Sequence, residues 1–259
     1  MTLRALVIGI GTGNPGHVTR EAVAALNAVD VFLVTDKGAG KQDLASLRTE
    51  ICRQLINHDH YRIVEVPDPG RGPDRDRDGT QYRNAVAAWH AQRARRYAEI
   101  ITAEVGADGT IGFLVWGDPS LYDSTIRIVE SIRDDAGVDL ELTVIPGISS
   151  LSLLAARHQI SLNRIGQPVH VTTGRRLLQE FSPELGDVAV MLDGGLTCAE
   201  LVDRYPNLII FWGAQLGLND EALVAGPLTT VIDQIRDTRS ALRAHRGWVM
   251  DIYLLRPGG

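Results

Sequence analysis

Short apolar runs rich in β-branched residues recur along the chain, and most of them are followed by a stretch with helical spacing. The runs over residues 3–10 and 31–36 are each followed by such a stretch, over 19–30 and 41–57. A longer amphipathic helix is predicted over 81–105. Because strands that alternate with helices usually form parallel sheets covered by those helices, the sequence predicts an α/β fold.

The alternation continues in the second half of the chain, with strand candidates at LELTVIP, PVHVTT, VAVMLD, NLIIFW and WVMDIYLL. A chain of 259 residues suggests one or two α/β domains. We place a boundary just after Gly117, where Asp118-Pro119 follows an apolar strand. The prediction is an N-terminal α/β domain over residues 1–117 and a C-terminal α/β domain over 118–259, both with largely parallel sheets.

Charge and composition argue against several classes of protein. The net charge of −6 disfavours a nucleic-acid-binding protein, although local basic patches are compatible with it. No apolar run reaches 18 residues, and the first residues lack a signal-peptide pattern, so we expect no membrane span. Two cysteines in a chain of this length indicate a reducing compartment. These observations predict a cytoplasmic protein.

Metal binding and thiol chemistry have little support in the sequence. His58 and His60 lie near Cys52, but no second group of ligands follows at a zinc-site spacing. Nothing in the local sequence would activate Cys52 or Cys198 as a nucleophile. We therefore expect no metal.

The first apolar run ends in a glycine-rich loop that matches a dinucleotide-binding pattern. Gly11, Gly13 and Gly16 satisfy G-x-G-x-x-G, and Asp36 follows twenty residues later. Pro15 interrupts the pattern just where a helix should begin, which weakens the match without abolishing it. An NAD(P)-dependent reductase is thus one hypothesis for the function.

Two more strands end in loops of the same kind. One stops at Gly117-Asp118-Pro119, and the other stops at Pro146-Gly147 before two serines. Ligands of open α/β sheets bind at the carboxyl ends of the strands, and glycine lets the backbone come close to a ligand. Each loop alone is more often a structural turn, but three together indicate a ligand site.

These loops carry a resemblance to a known family. The chain resembles the tetrapyrrole methylases, the class III S-adenosylmethionine-dependent methyltransferases, over essentially its whole length. The family's opening glycine loop, central G-D-P-x-x-Y segment and P-G-x-[ST]-[SA] turn correspond to Gly9, Gly11, Gly13 and Thr19, to Gly117, Asp118, Pro119 and Tyr122, and to Pro146, Gly147, Ser149 and Ser150.

The resemblance implies two α/β domains with S-adenosylmethionine bound in the cleft between them, S-adenosylhomocysteine as a product, and a homodimer. It also implies that the opening glycine loop faces the tetrapyrrole rather than a pyrophosphate. The methyl-donor contacts that it transfers to this chain are Thr12, Gly117, Asp118, Leu121, Ser149, Ser150, Met191 and Ala214.

The resemblance further implies a substrate. Stretches such as GIGTGNPGHVT and FLVWGDPSLYDSTIRI are most similar to the family members that methylate C-1 of precorrin-5 and release acetate in aerobic cobalamin synthesis. A precorrin carries many carboxylates, which arginine binds in a bidentate manner. The predicted substrate-binding residues are Gly11, Gly13, His17, Lys37, Arg175 and Arg176, with Arg20 beside Lys37 as a second possible basic site.

Release of acetate requires a water molecule and an acid–base group. We predict Asp36, Asp118 and Tyr122 as catalytic residues, with Asp193 and His17 as further candidates. For Asp36 and Asp118 the alternative is a structural acid that holds a turn, and for Arg175 and Arg176 it is a solvated helix start. The charged stretch 67–79 is either a surface loop or a flap over the site.

The sequence alone is compatible with other functions. A related methyltransferase that acts on another corrinoid position or on uroporphyrinogen is the nearest alternative. A tetrapyrrole carrier without catalytic activity and the NAD(P)-dependent reductase are more distant ones.

Overall fold

The computed structural model describes the backbone of residues 2–36, 42–70 and 79–258, and their side chains except those of residues 36, 42–45 and 82. The chain divides into two compact units, Met1–Ile148 and Ser149–Gly259. The described part of each unit contains one five-stranded sheet. The predicted α/β fold is confirmed.

The sheet of the first unit is entirely parallel. Its strand order is β3-β2-β4-β1-β5, and every neighbouring pair runs in the same direction. The strands are β1 (Leu3–Gly9), β2 (Val31–Asp36), β3 (Arg62–Pro67), β4 (Gly109–Val115) and β5 (Leu140–Ile145). Because all five point the same way, the loops that follow them lie along one edge of the sheet.

Helices cover both faces of this sheet. They are α1 (Arg20–Leu26), α2 (Gln42–Leu55), α3 (Gly79–Glu104) and α4 (Thr125–Asp134). The side chains of Ala5 and Val7 pack with apolar residues of α3 and α4, whereas those of Leu6 and Ile8 pack with α1 and α2. The alternation along β1 thus gives the sheet two buried faces, which explains why its strands are apolar throughout.

The second unit has a mixed sheet, which differs from the largely parallel sheet predicted for it. In the order β6-β7-β10-β8-β9, β6 and β7 are parallel and the other three pairings are antiparallel. The strands are β6 (Val169–Thr173), β7 (Asp187–Met191), β8 (Leu208–Ala214), β9 (Ala222–Pro227) and β10 (Asp251–Pro257). Only residues 215–221 join β8 to β9, which suffices for an antiparallel pair but not for a parallel crossover.

The core of the second unit packs between its sheet and its helices. The helices are α5 (Ser150–His158), α6 (Gly174–Glu180) and α7 (Leu228–Arg246). Trp212 on β8 and Tyr253 on β10 are fully buried in the main apolar cluster. Gly247 ends α7 with φ of +77°, a left-handed conformation that glycine adopts without strain.

The two units divide later in the chain than the boundary predicted after Gly117. Strand β5 pairs with β1 from Leu3–Leu140 to Ile8–Ile145, so residues 118–148 complete the first sheet. The Asp118-Pro119 break is therefore a loop inside the first unit. None of the helices in the described part of the chain is long and apolar enough to cross a membrane.

Candidate functional site

The three glycine loops meet at the carboxyl edge of the first sheet. Strand β1 lies between β4 and β5, so the loops after these strands are neighbours. The loops after β1 and β4 are joined by two backbone hydrogen bonds. The amide of Gly117 donates to the carbonyl of Gly11 at 2.6 Å, and the amide of Gly11 donates to the carbonyl of Gly117 at 3.3 Å.

The loop after β5 packs against both of these loops with no room for a side chain. A Cβ atom on Gly147 would lie 2.1 Å from the carbonyl oxygen of Gly117, and one on Gly9 would lie 2.5 Å from the amide nitrogen of Gly147. Both distances are shorter than any real contact of a Cβ atom. Gly9 and Gly147, which the sequence singled out, are therefore required by close backbone packing.

Asp118 ties the loops together through its carboxylate. One oxygen accepts the amide of Gly147 at 2.9 Å, and the other accepts the amide of Ser120 at 2.8 Å and its hydroxyl. Partial burial alone would raise the pKa of Asp118, but these hydrogen bonds outweigh burial and lower it. The group is therefore an ionised acceptor near neutral pH, which suits it to hold loops and not to donate protons.

Several other predicted residues of the first unit lie on the same loops. Thr12 is only 8% exposed, and its hydroxyl oxygen lies 3.0 Å from Nδ1 of His17. The amide of Leu121 donates to the carbonyl of Asp118 at 3.2 Å. Tyr122 has a φ of +50° and is 46% exposed, so its ring is held at the protein surface beside the loop.

The opening loop does not fold as a dinucleotide-binding loop. A short 3-10 turn, Pro15–His17, follows the glycines, and α1 begins only at Arg20, capped by the side chain of Thr19. Strand β4 also separates β1 from β2, whereas these two strands are adjacent in dinucleotide-binding folds. Both features argue against the reductase hypothesis.

A cavity of about 70 Å³ opens beside these loops, at the carboxyl ends of β2 and β4. The two strands pair only at Val31–Ile111 and Phe32–Gly112 and then separate. The cavity is lined by Leu33, Val34, Thr35, Arg48, Arg93, Tyr97, Phe113, Leu114, Val115, Asp123 and Thr125. Its two arginines were not predicted, because α2 and α3 carry several arginines and no motif marks these two.

In the second unit the predicted donor contacts lie at the ends of elements. Ser149 caps α5 by accepting the amide of Ser152 at 3.2 Å, and Ser150 is the first residue of that helix. Met191 ends β7, and Ala214 ends β8 with its side chain buried. The capping role of Ser149 is the one expected for a serine at a helix start.

Comparison of the sequence with protein-family models identifies the family to which the chain belongs. The model of the Tetrapyrrole (Corrin/Porphyrin) Methylases matches residues 5–232. The chain belongs to the tetrapyrrole methylase family. The predicted resemblance is confirmed, and the chain is a methyltransferase of this family.

Individual relatives agree with this assignment. The chain is 46% identical to a precorrin-6A synthase [deacetylating] of Sinorhizobium sp, over 98% of this chain and 95% of that one. The crystal structure of a cobalamin synthesis related protein, CobF, from Corynebacterium diphtheriae matches with a TM-score of 0.85 and 35% identity over 100% of both chains. A uroporphyrin-III C-methyltransferase from Thermus thermophilus, complexed with S-adenosylhomocysteine, matches in fold with a TM-score of 0.60 and 18% identity, over 98% and 92%.

Asp193, a further acid–base candidate, is part of a buried hydrogen-bond network in this methylase. It is 4% exposed, and its carboxylate accepts the Tyr253 hydroxyl at 2.5 Å and the amide and hydroxyl of Thr197 at 2.6 and 2.7 Å. Arg239 donates to the Asp193 carbonyl at 2.8 Å. These contacts give Asp193 a structural role.

The basic residues predicted to bind substrate have different surroundings in the structure. Arg176 pairs with Glu180 one turn later on α6, and Glu180 also accepts the hydroxyl of Thr172 at 2.5 Å. Arg175 is exposed on the same helix. Lys37 lies outside the described residues, as do the side chain of Asp36 and residues 71–78 of the charged stretch.

Thiol chemistry is disfavoured by the surroundings of both cysteines. Burial raises the pKa of Cys52 to about 11 and that of Cys198 to about 12, so neither is a thiolate near neutral pH. Within the described part of the chain, no group of three or more histidine, cysteine, aspartate or glutamate residues is arranged to hold a metal ion.

Proposed function

We propose that the chain methylates C-1 of precorrin-5 with S-adenosylmethionine and releases acetate to give precorrin-6A, in aerobic cobalamin synthesis. The observation that carries the proposal is the identity with the Sinorhizobium precorrin-6A synthase, which extends over nearly the whole chain. The strong structural match to the Corynebacterium protein, whose title relates it to cobalamin synthesis, supports the same assignment.

The donor-binding residues that we propose are Thr12, Gly117, Asp118, Leu121, Ser149, Ser150, Met191 and Ala214. The glycine loops of the first unit support this role because they lie together at the carboxyl edge of the sheet, where glycine lets the backbone come close to a ligand. The bound donor supplies a methyl group on a positively charged sulfur. The protein then needs mainly to position the carbon nucleophile and exclude water.

Asp118 acts, in this proposal, by holding the loops after β4 and β5 in register. Its lowered pKa and its engaged oxygens support that role over proton transfer. Asp36 and Tyr122 are then the catalytic candidates for the water-dependent release of acetate. Gly11, Gly13 and His17 would face the substrate, and Lys37, Arg175 and Arg176 would meet its carboxylates.

The proposal includes a cytoplasmic homodimer, which follows from the family and from the frequency of symmetric dimers. Light scattering measures the oligomeric state directly. A mass of about twice the 28.2 kDa of the chain is expected, and a mass of 28.2 kDa at micromolar concentration would contradict the dimer.

Thermal unfolding with candidate ligands tests the class of enzyme. S-adenosylhomocysteine should raise the melting temperature by mass action, whereas NADH should leave it unchanged. Turnover of precorrin-5, precorrin-2 and uroporphyrinogen III with labelled donor then tests the substrate. Label transfer to precorrin-5 alone supports the proposal, and transfer to one of the other two would assign the chain to another reaction of the family.

A further inference from the structure

The cavity between β2 and β4 carries two arginines that no predicted site includes. We propose that Arg48 and Arg93 form a binding subsite for one carboxylate arm of the tetrapyrrole substrate. This inference rests on the proposed function, which supplies a substrate with many carboxylates.

The fold places the two arginines over the same opening from opposite sides. Residues of α2 pack on the face of the sheet that contains Leu6 and Ile8, whereas residues of α3 pack on the face that contains Ala5 and Val7. The helix that follows β2 in the sequence, α2, packs on the first face, and the helix that follows β4, α4, packs on the second. These neighbouring strands therefore form a topological switch point. Ligands of open α/β sheets bind at such points.

Within the described part of the chain, the partners that orient Arg93 are two hydroxyl groups and an aromatic ring. Its Nη2 donates to the hydroxyl of Thr35 at 2.5 Å and to that of Tyr97 at 3.0 Å, and these two hydroxyl oxygens lie 2.7 Å apart. Its guanidinium also lies over the ring of Trp89, 4.7 Å from the centroid. The side chain is therefore oriented while its charge stays uncompensated by these contacts.

Arg48 is close to Arg93 and is also poorly compensated. Its guanidinium lies over the ring of Trp116, 5.2 Å from the centroid. Burial lowers the pKa of Arg48, the charge of Arg93 lowers it further, and Tyr97 and Asp123 oppose this effect. Among the residues that the structure describes, no carboxylate lies within ion-pair distance of Arg48 or Arg93.

Asp123 is the one acidic residue among the described residues that line the cavity, and it is already engaged. Its Oδ1 accepts the amide of Thr125 at the start of α4, at 2.6 Å. With two arginines and one aspartate, the described part of the lining has a net positive charge. Desolvated positive charges without a full counterion are costly, and an incoming carboxylate would supply that counterion.

The size and walls of the cavity suit a carboxylate arm. Its volume of about 70 Å³ admits a few heavy atoms and excludes the macrocycle. Leu33, Phe113 and Val115 offer apolar contacts for methylene groups, and two guanidinium groups match the planar oxygens of a carboxylate. The ligand class that fits is thus a carboxymethyl or carboxyethyl side chain.

The test compares precorrin-5 binding in Arg48→Met, Arg93→Met and the double variant with that in the wild type. Arg133→Met is the matched control, since Arg133 is a half-exposed arginine of the same unit that pairs with Asp134. We expect the KM for precorrin-5 to rise about tenfold for each single variant and about a hundredfold for the double variant. The affinity for S-adenosylhomocysteine and the control variant should stay within about twofold of the wild type.

Three results would overturn the inference. A folded double variant with a wild-type KM for precorrin-5 would remove the subsite and leave the proposed function intact. An equal loss of affinity for S-adenosylhomocysteine would show that the arginines serve the structure of the loops. A wild-type protein that binds S-adenosylhomocysteine but not precorrin-5 would overturn the proposed substrate and, with it, the subsite.

Glutamine variants provide the same test if methionine prevents folding. In Arg93→Gln the side-chain amide could still donate to Thr35, so the local structure would persist while the charge is lost. Restoring the charge with Arg93→Lys should recover part of the affinity, because lysine provides a cation without the bidentate geometry.

Discussion

Asp118 and Asp193 each lie shortly after a strand and next to glycine, yet they serve the two units differently. Asp118 is partly exposed and joins the loops after β4 and β5 at the edge of a parallel sheet. Asp193 is buried and accepts hydrogen bonds from Thr197, Tyr253 and its neighbouring turn. The same residue type therefore joins two loops at a sheet edge in one unit and belongs to a buried hydrogen-bond network in the other.

This difference shows why a strand-end acid alone does not identify a catalytic group. At the first edge, the glycines let the loops pack backbone against backbone, and a cavity lined by Arg48 and Arg93 lies alongside. At the end of β7 the close contact is with a side chain instead, since a Cβ atom on Gly174 would lie 2.4 Å from Oδ1 of Asp193. We propose that the first edge binds a ligand, whereas the contacts of Asp193 are structural.

The largest expected effect is on the buried network. Asp193→Ala should lower the free energy of unfolding by about 3–5 kcal/mol, because the Tyr253 hydroxyl and the amide of Thr197 lose a buried acceptor. Urea unfolding measures this loss. Asp233→Ala, at a side chain that is 83% exposed, is the control and should change stability by less than about 0.5 kcal/mol. Equal effects at the two positions would contradict a structural role for Asp193.

The next largest effect is expected on donor affinity, at the packed loops after β1, β4 and β5. Gly147→Ala should weaken binding of S-adenosylhomocysteine at least about tenfold, because the new Cβ would force the loop away from the Gly117 carbonyl. Calorimetric titration measures the affinity. Gly137→Ala is the control, since Gly137 has a φ of +71° but open space around its Cβ position. It should cost about 1 kcal/mol of stability and leave binding unchanged.

A smaller effect is expected at Asp118, together with a defined pH dependence. Asp118→Asn should lower the free energy of unfolding by about 1 kcal/mol at pH 7, because it weakens the hydrogen bonds from Gly147 and Ser120. The pKa of Asp118 is lower in the folded protein than its ordinary value of 3.8. Its contribution is therefore fully present above pH 3.8 and is lost as the pH falls through the folded value.

The difference in stability between the wild type and Asp118→Asn should thus be constant from pH 7 to about pH 5 and shrink below pH 3.8. Urea unfolding at several pH values measures it. A difference that grew as the pH fell would mean that the carboxyl group is bound in its protonated form.

The smallest effect is expected for Arg176→Ala. Arg176 is 66% exposed and pairs with Glu180 one turn along α6, and such surface pairs contribute little. The free energy of unfolding should change by less than about 0.5 kcal/mol. Its effect on the KM for precorrin-5 should be smaller than that of Arg48→Met. A larger effect would move the main carboxylate site to the second unit.

The sequence predicted the parts of the fold that follow from local pattern. Strand β2 lies at the predicted residues, and α3 begins and ends within two residues of the predicted helix. The mixed sheet was not predicted, because a buried strand has the same apolar pattern whether it runs parallel or antiparallel to its neighbours. Strand β9 was also missed, since Gly226 and Pro227 at its end resemble a turn.

The candidate site was predictable where it depends on glycine and proline. The loops after β1, β4 and β5 were identified from their residue types, and the structure brings them together. Arg48 and Arg93 were not identified, because they come from helices far apart in sequence and meet only where β2 separates from β4. The role of Asp118 also needed the structure, since only the contacts of its two oxygens distinguish a loop-holding acid from a proton donor.

The central claim is methyl transfer to C-1 of precorrin-5 coupled to release of acetate. It is tested most directly by incubating the protein with precorrin-5 and ¹³C-methyl S-adenosylmethionine, then measuring the labelled product and free acetate. The account predicts one labelled methyl group at C-1 and one acetate for each turnover. Transfer of the label to another carbon, or transfer without release of acetate, would contradict it.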